Sequence, residues 1–510
     1  MDEAASTDRR SPEEEARDLL SHLPTDVLVS ILEKLDLRAA LRTAVLSRGW
    51  RCLPKQLPRL VLDINHFLAP DDIDPAPDDD PQSYHAALSE AGDKMVDVAE
   101  ALLASTRRPD DNDAQCARAT LAMRFYLRHS YWSLGRLLDG AVAGGKVHAV
   151  ELTLTTTCRE PRYDSELTKR ALARYGLRFR HLFDACPAAF GALTRLKVER
   201  MSHDDRPNEL GDILAACTRL EKLSLVWCSD LGLGQPNGGG EDDQERWEVR
   251  HARLTDITIY CCAIDAVDLV WVPRLERFSF TDWRVPEAQQ DLITFGHVPR
   301  LTTVALSNNA FSCERAIRLS RTLANTALTD LRLNFYGGNI WVQPEIPRRL
   351  ANIFCNLKKL KIRNAHKAYG LTWAMFLLES APHLQELYIK VMDHDCNEHA
   401  RKKMPCWEVA SSFKHYNLAR VTILVFYSVE ETTVVAFIRH LVEVAVNLEE
   451  LSIRENPAAS VSCKSCGTRS PGGSSFPRTD QEKDAFRKRI NGGRSATAAA
   501  LKIHIEPIAT

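Results

Sequence analysis

Few residues in this 510-residue chain have the types and spacing that chemistry needs. His394-x-Cys396-x-x-His399, with Cys406 beyond it, offers side-chain types that bind zinc, and Cys463-x-x-Cys466 has the spacing of half a zinc site. A structural site needs four ligands, and the second cluster has no partner Cys-x-x-Cys. The first sits in a polar insertion, where solvated His and Cys are the simpler reading. No metal and no cofactor is assigned. A Gly-rich phosphate loop with its Lys, a Gly-x-Ser-x-Gly elbow and a His-Glu-x-x-His helix are all missing from the sequence, and Gly238-Gly239-Gly240 is not followed by Lys-Ser/Thr. No catalytic residue is assigned, so the expectation is a chain that binds rather than reacts. What remains is a set of cations with one aromatic, Arg332, Lys361, Arg363, Lys390 and Tyr388, able to pair carboxylate or phosphate. They lie far apart in sequence, so only a repeating fold could gather them.

The sequence contains such a repeat. The pattern apolar-x-x-apolar-x-apolar starts at Leu193, Leu220, Leu254, Leu275, Leu301, Leu328, Leu357, Leu384, Leu418 and Leu448, at a mean interval of about 28 residues. Leu220-Glu-Lys-Leu223-Ser-Leu225 and Leu328-Thr-Asp-Leu331-Arg-Leu333 are typical. Pro273, Pro299 and Pro382 precede the first leucine by two residues, where they end a preceding helix. Each repeat thus predicts a short strand with its leucines inward and a helix or irregular arc that returns the chain. Stacking then buries what one repeat cannot bury alone. Val147-His-Ala-Val150-Glu-Leu152 is a divergent copy, and Leu121 to Leu127 alternates as one further strand. Period-two alternation sends the intervening residues to the concave surface, with Arg332, Lys361, Arg363, Tyr388 and Lys390 as neighbours on adjoining strands. The alternative is that these cations only keep an exposed sheet edge soluble.

Upstream, Leu23, Val27, Leu28, Ile31, Leu32 and Leu35 recur with the helical period. Pro24 and Asp26 suit the first turn of that helix. Asp36 is placed to cap a second helix over Leu37 to Leu46, and Ser47 a third that holds Trp50. Ala69 to Pro81 has six Asp and four Pro and reads as an extended linker, followed by a helix from about Ser83 to Ala104. The expected organisation is a flexible tail over 1–17, a helical unit over 18–60, a linker with a helix over 61–115, the repeat domain over 116–455, and a flexible tail over 456–510. In that last tail Leu501, Ile503 and Ile505 could add a final strand. Arg487-Lys488-Arg489 is too short for a nuclear address and reads as a solvated charged turn.

Asp18 to Leu53 resembles the F-box of plant F-box/leucine-rich-repeat proteins. The resemblance is carried by Leu23-Pro24, the Leu28/Ile31/Leu32 set, Arg42-Thr43, Val45-Leu46-Ser47 and Arg48-x-Trp50-Arg51. Gly49 and Pro54 depart from the pattern, where a basic residue and a Trp are usual. The resemblance implies an α/β chain in which a three-helix F-box precedes a leucine-rich-repeat solenoid. It also implies the substrate-receptor role in an SCF-type ubiquitin ligase. Leu23, Pro24, Val27, Leu28, Ile31, Leu46 and Trp50 would contact a Skp-type adaptor, which bridges to a cullin, while the repeats hold a protein target. The rival expectations are an adaptor-independent repeat scaffold and a receptor for a small anion.

Composition bounds the partners. Lys+Arg 66 against Asp+Glu 68 gives a net charge of -2, which argues against a dedicated nucleic-acid binder. No apolar run approaches the length that spans a membrane. Fourteen Cys scattered over the chain suit reduced thiols, so the cytoplasm or nucleus is the expected compartment.

Overall fold

A computed structural model describes residues 23–45, 50, 53, 56–73, 81–105, 119–157, 166–202, 209–229, 246–262, 264, 266–283, 292–308, 316–335, 340–366, 370–392, 407, 412–425, 432–455, 476–491 and 501–507. They fall into two compact units, drawn from Met1–Met201 with Ala216–Leu220 and from Ser202–Ala215 with Glu221–Thr510.

The first unit opens with helices α1 (Thr25–Leu32) and α2 (Leu37–Arg42). The Leu28 amide donates to the Pro24 carbonyl at 3.1 Å, so Pro24 stands just ahead of α1 rather than inside its first turn. Asp36 caps α2 as the sequence suggests, its Oδ1 accepting the Ala39 N–H at 2.7 Å. The helix stops sooner than Leu46. From Thr43 to Val45 the chain tightens into a 3-10 turn, with the Thr43 hydroxyl donating to the Ala40 carbonyl at 2.7 Å.

The repeat-type sheet begins earlier than residue 116. Strand β1 (Arg59–Asp63) pairs in parallel with β2 (Ala119–Tyr126), which pairs with β3 (Val147–Thr155), which pairs with β4 (Leu193–Glu199). Leu60 and Leu62 supply its inward face, a two-leucine alternation too short to stand out in sequence. What was expected to be linker from 61 is therefore strand to Asp63. Part of the acidic stretch, Pro70–Ile73, forms a helical turn, and 74–80 lies outside the described residues. Helix α3 (Pro81–Ser105) follows, burying Leu88, Ala91, Met95, Ala99 and Leu103 at helical spacing. It packs on α4 (Tyr131–Ala143).

In the second unit every remaining leucine hexamer yields a strand. The strands are β5 (Lys222–Val226), β7 (Asp256–Tyr260), β9 (Arg277–Thr281), β11 (Thr303–Asn308), β12 (Asp330–Phe335), β13 (Lys359–His366), β14 (Glu386–Met392), β15 (Arg420–Val425) and β16 (Glu450–Glu455). They pair side by side in that order, all parallel, and β17 (Lys502–Glu506) pairs beyond β16. Leu223, Leu225, Leu328, Leu331, Leu333, Leu357, Leu360 and Ile362 are at most 1% exposed. Aromatic rings join neighbouring repeats from within. Trp283 meets Trp341 at 5.0 Å, and Trp341 meets Phe335, which meets Trp373.

Two expectations need correction. The chain returns between the earlier strands not only through helices and irregular arcs: β6 (Arg246–Arg250), β8 (Ala266–Trp271) and β10 (Ile293–His297) form a second parallel sheet. The interval from Leu254 to Leu275 is only 21 residues, so an extended return closes it more economically than a helix. Gly296 allows the close approach, since a Cβ there would stand 2.7 Å from the Val270 carbonyl oxygen.

The C-terminal region is also not wholly a tail. Helix α6 (Asp480–Asn491) begins with a capping box, in which Glu482 accepts the Thr479 N–H at 3.0 Å and Thr479 Oγ1 accepts the Glu482 N–H at 3.2 Å. Phe486 and Ile490 are buried, and α6 packs on α5 (Thr432–Val444). Arg487, expected in a solvated turn, donates to the Ile503 carbonyl at 3.3 Å and to Asp484 at 2.7 Å.

Several of the first outward residues form ion pairs across strands. Arg277 meets Asp256 at 2.9 Å, and Glu386 meets Lys359 at 3.0 Å and also Arg420. Arg420, then Lys359, hold the Glu386 carboxyl below its usual value. A carboxylate with a depressed folded value contributes stability above its unfolded pKa of about 4.3, and that contribution is lost as pH falls through the folded value. Denaturant titrations of wild type and Glu386→Gln should therefore differ near neutral pH and converge in acid, well below about pH 4. Leu331→Ala should cost about 2–5 kcal/mol by equilibrium unfolding, through lost burial and the cavity it leaves.

Candidate functional site

Two surfaces stand out among the described residues, one in each unit. The first is apolar. Of the twelve large apolar side chains exposed among the described residues, five lie between positions 27 and 45: Val27, Ile31, Leu35, Leu41 and Val45. Val27, Ile31 and Leu35 follow one another at i, i+4 and i+8 along one side of α1 and just beyond it, while Leu28 and Leu32 face inward. Leu41 and Val45 repeat that four-residue spacing, and Val45 is 87% exposed. Leu41 also lines an apolar cleft of about 530 Å³ with Leu37, Val61, Phe67 and Val98. Exposed apolar residues gathered in this way have the usual character of an interaction surface.

The residues expected to meet an adaptor divide accordingly. Pro24, Val27 and Ile31 are exposed, and Leu23 is half-buried. Leu28 and Trp50, at 7% and 6% exposure, build the core of this unit and offer a partner nothing without being unpacked. Leu46, Gly49 and Pro54 lie outside the described residues. Sequence reasoning passed over Leu35, Leu41 and Val45 as contact residues. For Leu35 the signal was present: the apolar arc that runs along α1 is too wide for one buried stripe, so part of it must face solvent.

The second surface is cationic. The register pairs Arg332 with Lys361 and Lys361 with Tyr388 in one row, and Asn334 with Arg363 and Arg363 with Lys390 in the next. All five expected residues are thus brought together. They are not equivalent. Arg332 is held by Asp330, with Nη2 to Oδ2 at 2.7 Å and Nε to both carboxylate oxygens at 3.2 Å, which raises its pKa further. Lys361, Arg363 and Lys390 pair with no carboxylate among the described residues. Arg363 instead lies over the Tyr388 ring, its Cζ 5.8 Å from the centroid. Burial, then the charge of Arg363, lowers the Lys390 pKa from the usual lysine value.

Elsewhere on the same outward face several charges are matched. Arg454 meets Glu506 at 2.9 Å in the second of these rows, and first outward residues are paired at Asp256–Arg277 and around Glu386. The imbalance is local. An aromatic pair, Trp227 just past β5 with Tyr260 at the end of β7, has ring centroids 5.9 Å apart, and Tyr260 is 39% exposed. His394, Cys396, His399, Cys406, Cys463 and Cys466 lie outside the described residues. So does the polar insertion around Gly238.

Comparison with known families agrees with this layout. A family model for the F-box domain matches residues 20–62. A model described as FBD-associated F-box protein At5g56370, LRR repeats, matches residues 151–318, and one described as At1g61320/AtMIF1, LRR domain, matches residues 252–485. No curated protein matches the chain. The F-box match ends inside β1, so the short helical unit runs directly into a strand of the first sheet. The chain is an α/β protein that carries an F-box followed by leucine-rich-repeat regions similar to those of plant F-box proteins.

Proposed function

We propose that this chain is the substrate-recognition subunit of an SCF-type ubiquitin ligase. Its F-box docks on a Skp-type adaptor, the adaptor bridges to a cullin, and the repeat strands hold a protein target. The observation that carries this reading is the cluster of exposed Val27, Ile31, Leu35, Leu41 and Val45 inside the segment matched as an F-box. Covering such a cluster removes apolar surface from water, which is the usual energetic centre of a protein interface. The chain itself makes and breaks no bond in this scheme. It raises the local concentration of a target beside the enzyme that transfers ubiquitin.

The mechanism separates two tasks. Adaptor affinity resides in rigid helical residues whose partner-facing side chains are not needed for folding. Target choice resides in outward strand residues, which can vary without disturbing the leucines behind them. An adaptor-independent scaffold would not need the exposed helical cluster, and it would tolerate charges there.

The test is co-precipitation of the full chain with a plant Skp-type adaptor. Charge placed on the patch by Val27→Glu with Ile31→Glu should reduce adaptor retention more than tenfold, since interface anchors contribute about 2–4 kcal/mol and about 1.4 kcal/mol is a decade. Both positions are exposed, so the thermal unfolding midpoint should stay near wild type. Leu28→Ala should instead lower that midpoint, because its side chain is core. Failure of the wild-type chain to retain any adaptor would remove the ligase role.

A further inference from the structure

We propose that Lys361, Arg363 and Lys390, with Tyr388 between them, form the acceptor for an extended acidic segment of a protein partner, one with carboxylates at alternate residues. The proposal deepens the receptor reading above and rests on it for the partner's fate, though not for the binding itself.

Three features of the outward face point to this occupant. The first is selective neutralisation. Asp256–Arg277, Lys359–Glu386–Arg420 and Arg454–Glu506 are satisfied across strands, and Arg332 is satisfied by Asp330 on its own strand. Lys361, Arg363 and Lys390 are left without a carboxylate among the described residues. Three adjoining cations with no counterion among the described residues repel one another, and an incoming anion relieves that repulsion. Lys390 already feels it, since burial and the neighbouring Arg363 both disfavour its charged form.

The second feature is spacing. Lys361 and Arg363 sit two residues apart on β13 and share its outward side. Side chains two residues apart on any extended segment are separated by about 6.6–6.8 Å. A peptide lying along β13 would therefore present carboxylates i and i+2 to Lys361 and Arg363 in step. Lys390 stands beside Arg363 on the next strand, about 4.8 Å away, and closes the second carboxylate from the other side.

The third feature is the platform between them. Tyr388 is half-buried, adjoins Lys361 in register and carries the Arg363 guanidinium against its ring. Stacking restricts the guanidinium, so less freedom is lost when it pairs a carboxylate. A rigid aromatic beside preordered cations suits a peptide with a backbone to lay down, more than a freely tumbling ion.

The experiment uses the full chain and a fluorescent ten-residue peptide with Glu at alternate positions, its Gln counterpart and inorganic tripolyphosphate. Anisotropy should show the Glu peptide binding at least tenfold more tightly than the Gln peptide, weakening as salt rises. Lys361→Glu with Arg363→Glu should abolish capture, and Arg277→Glu, a reversal at a paired position on the same face, should change it less than twofold. If the reversal fails to fold, Lys361→Gln with Arg363→Gln, which removes charge without adding any, should still lose at least tenfold. Equal binding of Glu and Gln peptides would overturn the proposal. So would unchanged capture by a folded Lys361/Arg363 variant, equal loss with Arg277→Glu, or tripolyphosphate bound there with no Glu-peptide binding. Adaptor co-precipitation is run on the same samples. Peptide capture without adaptor retention defeats the ligase role alone, and adaptor retention without peptide capture defeats only this acceptor.

Discussion

Parallel pairing of strands whose alternate residues are leucine is the constraint on which this molecule depends. A leucine at one position and another two residues later fix which side of the strand is buried. Slipping the register by one residue would expose that whole set, so neighbouring repeats hold one another in phase. The same constraint decides what faces water. Arg332, Lys361, Arg363, Tyr388 and Lys390 become neighbours because Leu331, Leu333, Leu360, Ile362, Leu387 and Ile389 have nowhere else to go.

That dependence explains what was legible from the residues alone. The leucine hexamers from Leu220 to Leu448 each carry three inward positions, and every one of them leads a strand of the second unit. The cationic row followed by alternation. What sequence could not give was the electrostatic difference within it. Asp330 is two residues from Arg332 and neutralises it, whereas Glu386, two residues before Tyr388, is taken by Lys359 and Arg420. Such pairing depends on side-chain rotamers across strands and leaves no periodic trace.

The misreadings have equally specific causes. Strand β1 has only Leu60 and Leu62 to announce it, directly after Pro58. The return strands β6, β8 and β10 have short alternations, such as Trp247 with Val249, that resemble irregular loop. Helix α6 was hidden by a polar composition, although Thr479 and Glu482 spelled out its start. In the F-box, apolar type alone could not say which side of α1 is core. Leu28 and Trp50 pack inward while Val27 and Ile31 do not, and only the packing of the unit separates them. A net charge of -2 likewise concealed a local excess of cations, because matched pairs elsewhere cancel in the total.

The two surfaces are chemically independent, one apolar and helical, the other cationic and borne on strands. A receptor must use both at once. Native mass spectrometry of the full chain mixed with a plant Skp-type adaptor and the alternating Glu peptide tests this most directly. A complex holding the chain, the adaptor and the peptide together is the expected result. Adaptor and peptide that displace one another, or a chain that holds neither, would contradict the division of labour between the F-box and the repeats.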